Sequence, residues 1–196
     1  MDITIQIKEY VEKITPRLQE RFDSREKLLL LSREVIRYAG ETISLSHKMK
    51  EEEASKKYQQ AIQKLKELQE VVNNFPELLY GDVGTAFQEV AEASVVYSIY
   101  FGQKIPTGEE LGIPDVYYVL GIADAIGELR RRVLELLRKR EVDKAEETYA
   151  VMEELYEILW ELEYPKALVP NLRQKIDSLR RLLEETNHDL FLAHLE

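Results

Sequence analysis

Apolar residues recur at three-and-four spacing along almost the whole of this chain, and no stretch alternates with the period of two that a half-buried strand requires. Ile3, Ile7, Tyr10, Val11, Ile14 and Leu18 set the pattern, with Pro16 predicted to kink or restart the helix. Asp23 and Glu26 have capping-box spacing and are expected to open a second helix through Leu28, Leu31, Val35, Ala39 and Ile43 toward His47. A polar helix with the stripe Ala61, Leu65, Leu68 and Val72 follows, stopped at Asn73-Asn74-Phe75-Pro76. Further helices are predicted up to about Phe101, from Pro114 to about Lys139, from Asp143 to Leu162 and from Leu172 to Leu183. Thr107 and Glu110 make a capping box in the linker between Gly102 and Pro114. Asn187-His188-Asp189 punctuates the last helix, leaving Leu190 to Leu195 as an apolar tail suited to docking on another subunit. The fold class is therefore all-α, and 196 residues suit a single domain over 1–196.

Two of these helices carry carboxylates where a core is expected. In Val119-Leu120-Gly121-Ile122-Ala123-Asp124-Ala125-Ile126-Gly127-Glu128, Asp124 and Glu128 share one helix face, roughly 5–6 Å apart at Cβ. Gln88-Glu89-Val90-Ala91-Glu92-Ala93 repeats the arrangement at a spacing of three. Packed together, two such helices bring four like charges into apolar surroundings, which is costly unless a cation offsets them. Hard oxygen ligands suit a divalent ion such as Mg²⁺. The same spacing also fits ordinary surface acids paired with the arginines Arg130, Arg131 and Arg132.

The absence of cysteine excludes thiolate chemistry and disulfides. No apolar run reaches membrane-spanning length and no secretory pattern opens the chain, which reads as cytoplasmic with no membrane partner. A net charge of −10 speaks against a protein coated by nucleic acid, yet the charge is uneven. Acids dominate from Glu141 to Glu163, and the acidic helix from Asp143 to Glu163 can also bind a protein partner, whereas bases outnumber acids from Arg25 to Lys50. Arg33, Arg37, His47 and Lys48 can line a path for a phosphate backbone, or form a solvated helix face. Tyr97, Tyr100, Tyr117 and Tyr118 can stack on unpaired bases or belong to the core. Glu185 and His188 form only one half of a di-iron carboxylate pattern, which needs two such pairs.

The stretch Tyr118 to Leu129 resembles the D-Y-L-L-G-V-A-D-L-T-G-E-L signature of the translin and translin-associated factor X family. Glu89 and Glu92 resemble the second acidic segment of the factor X branch, and the helix from Arg25 to His47-Lys48 resembles that branch's helix ending in Leu-His-Arg. The resemblance implies about seven helices, assembly into a hollow octamer, and single-stranded RNA bound inside it. It also implies the catalytic branch, an Mg²⁺-dependent endoribonuclease (with Mn²⁺ as a substitute) in which Glu89, Glu92, Asp124 and Glu128 are both catalytic and metal-binding, while Arg33, Arg37, His47 and Lys48 hold the strand. The short linker before the Asp124 helix resembles the prokaryotic, chiefly archaeal, members and implies a homo-oligomer. A non-catalytic oligomer binding single-stranded RNA or DNA is the alternative. Gly121 and Gly127 are expected to let a neighbouring helix approach the acids closely, at roughly 1 kcal/mol each in helix propensity.

Overall fold

In the computed structural model, which describes residues 4–162 and 164–195, one helix accounts for everything from Ile5 to His47. This helix, α1 (Ile5–His47), runs unbroken through Pro16 and Asp23. Asp23 caps nothing: it lies mid-helix, where the Gln19 amide donates to its carboxylate at 2.9 Å. The backbone on either side is already hydrogen-bonded, so no free N–H remains for a cap to satisfy. A helix of this length spans about 64 Å, and its first buried residue is Leu28. The expected starting position Ile3 lies outside the described residues.

A tight turn at Met49, whose φ is +54°, reverses the chain into α2 (Glu51–Asn74), which packs antiparallel on the second half of α1. After a single 3₁₀ turn at Pro76–Leu78 comes α3 (Asp82–Phe101), closed by Gly102 in the left-handed region at φ +62°. The short α4 (Gly108–Leu111) has the predicted Thr107/Glu110 capping box with both of its hydrogen bonds. Pro114 stands as the N-cap of α5 (Asp115–Arg138), one position earlier than predicted. Then follow α6 (Val142–Trp160) and α7 (Leu172–Ala193). The last helix continues through Asn187-His188-Asp189, because Thr186 and Leu190 are buried on its core face and hold it in register. The acidic stretch expected to end at Glu163 runs past the described residues at that one position.

All seven helices are α, no strand occurs among the described residues, and none of the helices is long and apolar enough to cross a membrane. Helices α3 and α5 form the spine. The α1–α2 hairpin covers α3 on one side, and α6 and α7 cover α5 on the other. Phe87, Val90, Val95 and Val96 of α3 meet Ile126, Leu129 and Val133 of α5 in a shared core. The arginine Arg130 ties α5 to α7 by donating to Leu182 O at 3.1 Å and Thr186 Oγ1 at 3.0 Å, with Asp189 and Glu185 as carboxylate partners. Glu185 is thereby engaged in a helix-to-helix contact.

Candidate metal centre and its surroundings

The two acid-bearing helices meet at Gly121. A Cβ there would lie 2.5 Å from Ala91 Cβ, 2.7 Å from Gln88 O and 2.9 Å from Glu92 N, so α5 rests directly on the turn of α3 that carries the acids. Only glycine permits this approach, since two of the three opposing atoms are backbone. Gly127 differs from its expected role: nothing lies within 4 Å of where its Cβ would be, and it borders a cleft instead.

All four predicted carboxylates fall within one electrostatic field. Burial raises the Glu92 carboxyl to about 8, with Glu89, Asp124 and Glu128 adding to the effect and Lys175 opposing it. Glu89 is raised in the same direction by burial, then by Asp124 and Glu128. Neither Glu89 nor Glu92 accepts a hydrogen bond or ion pair from any described residue. Asp124 and Glu128 are better provided. Asp124 takes the Lys175 ammonium on Oδ1 and the Gln88 amide on Oδ2, the latter at 2.5 Å. Glu128 bonds to His47 Nε2, and this bond holds its carboxyl below the usual range against the opposing effect of burial. As these side chains stand, no three carboxylates or imidazoles among the described residues form a group able to hold a metal ion.

His47 is therefore placed within the acid cluster, its side chain 8% exposed, rather than on an open phosphate path. Its Nδ1 faces the Tyr100 hydroxyl at 2.5 Å. Burial raises the Tyr100 phenol well above its ordinary range, and the imidazole links that hydroxyl at Nδ1 to the Glu128 carboxylate at Nε2. The Arg132 guanidinium lies 4.2 Å over the Tyr100 ring, and its buried Nε and Nη1 have no hydrogen-bond partner among the described residues. Arg33, Arg37 and Lys48 are exposed, along the same side of α1 as His47. The other tyrosines have partners within the chain: Tyr97 stacks on Tyr58, Tyr117 on Phe87, and Tyr118 donates to Pro106 O.

Sequence spacing alone did not point to Lys175 and Gln88 as partners of Asp124. Lys175 carried a usable signal. It lies three residues after Leu172 and four before Leu179, on the flank of α7's core stripe, a position from which a long side chain reaches the neighbouring helix.

A carboxyl raised from 4.5 to about 8 binds its proton more tightly in the folded state, so its contribution to stability is fully present below 4.5 and lost as pH rises through 8. Glu89 acts in the same sense, while Glu128 matters only at more acid pH. Metal-free protein is expected to lose on the order of 1–3 kcal/mol between about pH 5 and about pH 9, read as a lower urea midpoint. A flat profile would mean that the four charges are not packed together.

No protein-family profile matches the chain. It is 40% identical over 176 residues, 88% of its own length and 78% of the relative's, to the uncharacterised protein MJ0175 of Methanocaldococcus jannaschii. Among solved structures it is similar to AfC3PO, alone and in a complex with duplex RNA, with a TM-score of 0.86 and 32% identity over 95% of this chain and 97% of that one. Apo-NeC3PO gives the same TM-score at 21% identity, over 93% of this chain and 96% of that one, a likeness of fold. With a third of its residues shared over nearly the full length of both chains, and with the acid-bearing helices crossing as described, the chain belongs to the C3PO family of translin and translin-associated factor X proteins, in its archaeal-type form.

Proposed function

We propose that this protein is a metal-dependent endoribonuclease that binds and cuts single-stranded RNA inside a shell built from copies of itself. The observation that carries the reading is the deficit of positive charge at the crossing of α3 and α5. Four carboxylates share one site, and two of them, Glu89 and Glu92, have no cationic or hydrogen-bonding partner among the described residues. An all-oxygen donor set of this kind fits a hard divalent cation, Mg²⁺ or Mn²⁺. When bound, such a cation stabilises the attacking and leaving oxygens of a phosphodiester. Glu89, Glu92 and Asp124 would hold it. Glu128, oriented by His47 and through it by Tyr100, would complete the set or position the attacking water.

RNA as the substrate class draws support from the AfC3PO complex with duplex RNA. The single-stranded preference rests on resemblance to the factor X branch. Exposed Arg33, Arg37 and Lys48 supply phosphate contacts without sequence selectivity. Self-assembly, with an octamer as the expected form, draws support from the exposed stripe Ile7, Tyr10, Val11, Leu18 and Phe22 on the first half of α1, and from exposed Phe191, Leu192 and Leu195 at the other end of the chain.

End-labelled single-stranded and duplex RNA incubated with Mg²⁺, and in parallel with a chelator, tests this reading. Internal cleavage of the single strand is expected with Mg²⁺ and is expected to fall to background with chelator. A binding-only oligomer, for single-stranded RNA or DNA, is the second reading. It is favoured by the engagement of Asp124 with Lys175 and Gln88, and of Glu128 with His47, which leaves no ready-made cage. Metal-independent binding with no cleavage of either substrate would select it.

A further inference from the structure

Asp124 is the one acid of the four with both oxygens already taken, by the Lys175 ammonium and the Gln88 amide. A divalent cation using Asp124 therefore competes with one of them. Gln88 is neutral and can stay; Lys175 carries the same sign of charge as the incoming ion and is repelled by it. The pair is open enough to exchange, with side-chain exposures of 28% for Lys175 and 27% for Asp124. It is also dispensable as a brace, because Arg130 already fastens α5 to α7 through Leu182 O, Thr186 and Asp189.

The space into which the ammonium can turn is a cleft of about 540 Å³ between α5 and α7, where Gln88, Asp124, Asn171, Gln174, Lys175 and Ser178 are among the lining residues. Apart from Asp124 and Lys175, these polar side chains are neutral, and several are hydrogen-bond donors. That suits a sugar-phosphate segment better than an apolar ligand. A lysine, with three donors on a flexible four-carbon stem, can change partners without rearranging a helix.

We propose that Lys175 is an exchangeable counter-ion: its ammonium holds Asp124 until a divalent cation takes that carboxylate, and then binds a phosphate of the strand lying in the adjoining cleft. This rests on the reading of the four acids as a cation site. Lys175 thereby couples the two ligands, since a phosphate that takes up its charge leaves Asp124 freer for the cation, and the cation makes Lys175 available to the phosphate.

The test is calorimetric titration of Mg²⁺ into metal-free wild type, Lys175→Met, Lys175→Arg and Glu89→Gln. It is followed by titration of a single-stranded RNA methylated at its ribose hydroxyls, which resists cleavage, into the Mg²⁺-loaded proteins. Lys175→Met is expected to bind Mg²⁺ about three- to tenfold more tightly than wild type and the methylated RNA about three- to tenfold more weakly, with Lys175→Arg near wild type in both. Mg²⁺ affinity unchanged in Lys175→Met, with Glu89→Gln weakened, would leave the acid site standing and reduce Lys175 to a strut. Tighter Mg²⁺ binding with unchanged RNA affinity would overturn the phosphate half of the proposal. If neither wild type nor Lys175→Met binds Mg²⁺, the acid site and the role of Lys175 fall together. Lys175→Arg, which keeps the charge, shows whether a change in Lys175→Met reflects charge or folding.

Discussion

Glu92→Gln protein is expected to be more stable than wild type and to cleave RNA at least about a hundredfold more slowly. Glutamine has the shape of the glutamate but carries no charge, and Glu92 is buried among Glu89, Asp124 and Glu128. Once its carboxyl ionises, above about 8, that charge has no partner among the described residues. Removing it is expected to raise the unfolding free energy near pH 9 by about 1–3 kcal/mol in metal-free protein, and to flatten the pH profile of the wild type. The same substitution removes a charged oxygen donor from the site, where holding a divalent ion depends on the full acidic set. The two readouts, a urea midpoint and a cleavage rate, move in opposite directions. Undiminished cleavage by Glu92→Gln would remove that residue from the machinery, and an unchanged urea midpoint would contradict the repulsion.

The second large effect concerns a residue with no chemistry of its own. Gly121→Ala is expected to destabilise the fold by about 2–3 kcal/mol, even though alanine gains roughly 1 kcal/mol in helix propensity, because the new methyl meets Gln88 O and Glu92 N of α3. These atoms belong to a buried helix backbone and cannot turn aside. The helices must separate by a few tenths of an ångström or more, moving Glu89 and Glu92 relative to Asp124 and Glu128. Cleavage is expected to fall by at least about tenfold in protein that still folds, in line with the sensitivity of catalysis to small misplacements. Gly127→Ala is the internal control. With open space around its Cβ, it is expected to be neutral or to stabilise by about 0.5–1 kcal/mol. Thermal or chemical denaturation of the pair checks the argument, and equal effects at the two positions would refute it.

These two glycines show where the sequence is legible and where it stops. A pair such as Asp124 and Glu128 is encoded locally, because helical spacing alone puts both on one face, and the apolar residues around them indicate burial. The close approach at Gly121 has the same local signature as the open position at Gly127. Only the crossing point of α3 on α5 separates them, and that depends on how whole helices settle against each other. The partners of Lys175 and His47 are not legible locally for the same reason: each faces a residue far away in the chain, 51 and 81 positions respectively. The all-α class was secure because it sums many weak local preferences. The length of α1 was not, because Pro16 and Asp23 are stop and start signals only where the backbone has some alternative to continuing.

That uninterrupted helix divides into a half held by the core and a half that is not. Between Ile5 and Lys27 no residue is buried, so this half of α1 draws almost nothing from the core that fixes the second half. This half is propagated from the packed half rather than nucleated by itself, and no core contact adds to it. Its apolar stripe Ile7, Tyr10, Val11, Leu18 and Phe22 stays exposed in the chain by itself. If copies of the chain cover that stripe, as proposed above, the helical content is expected to rise with protein concentration, while the end of α1 at His47 lies in the half that the core already holds.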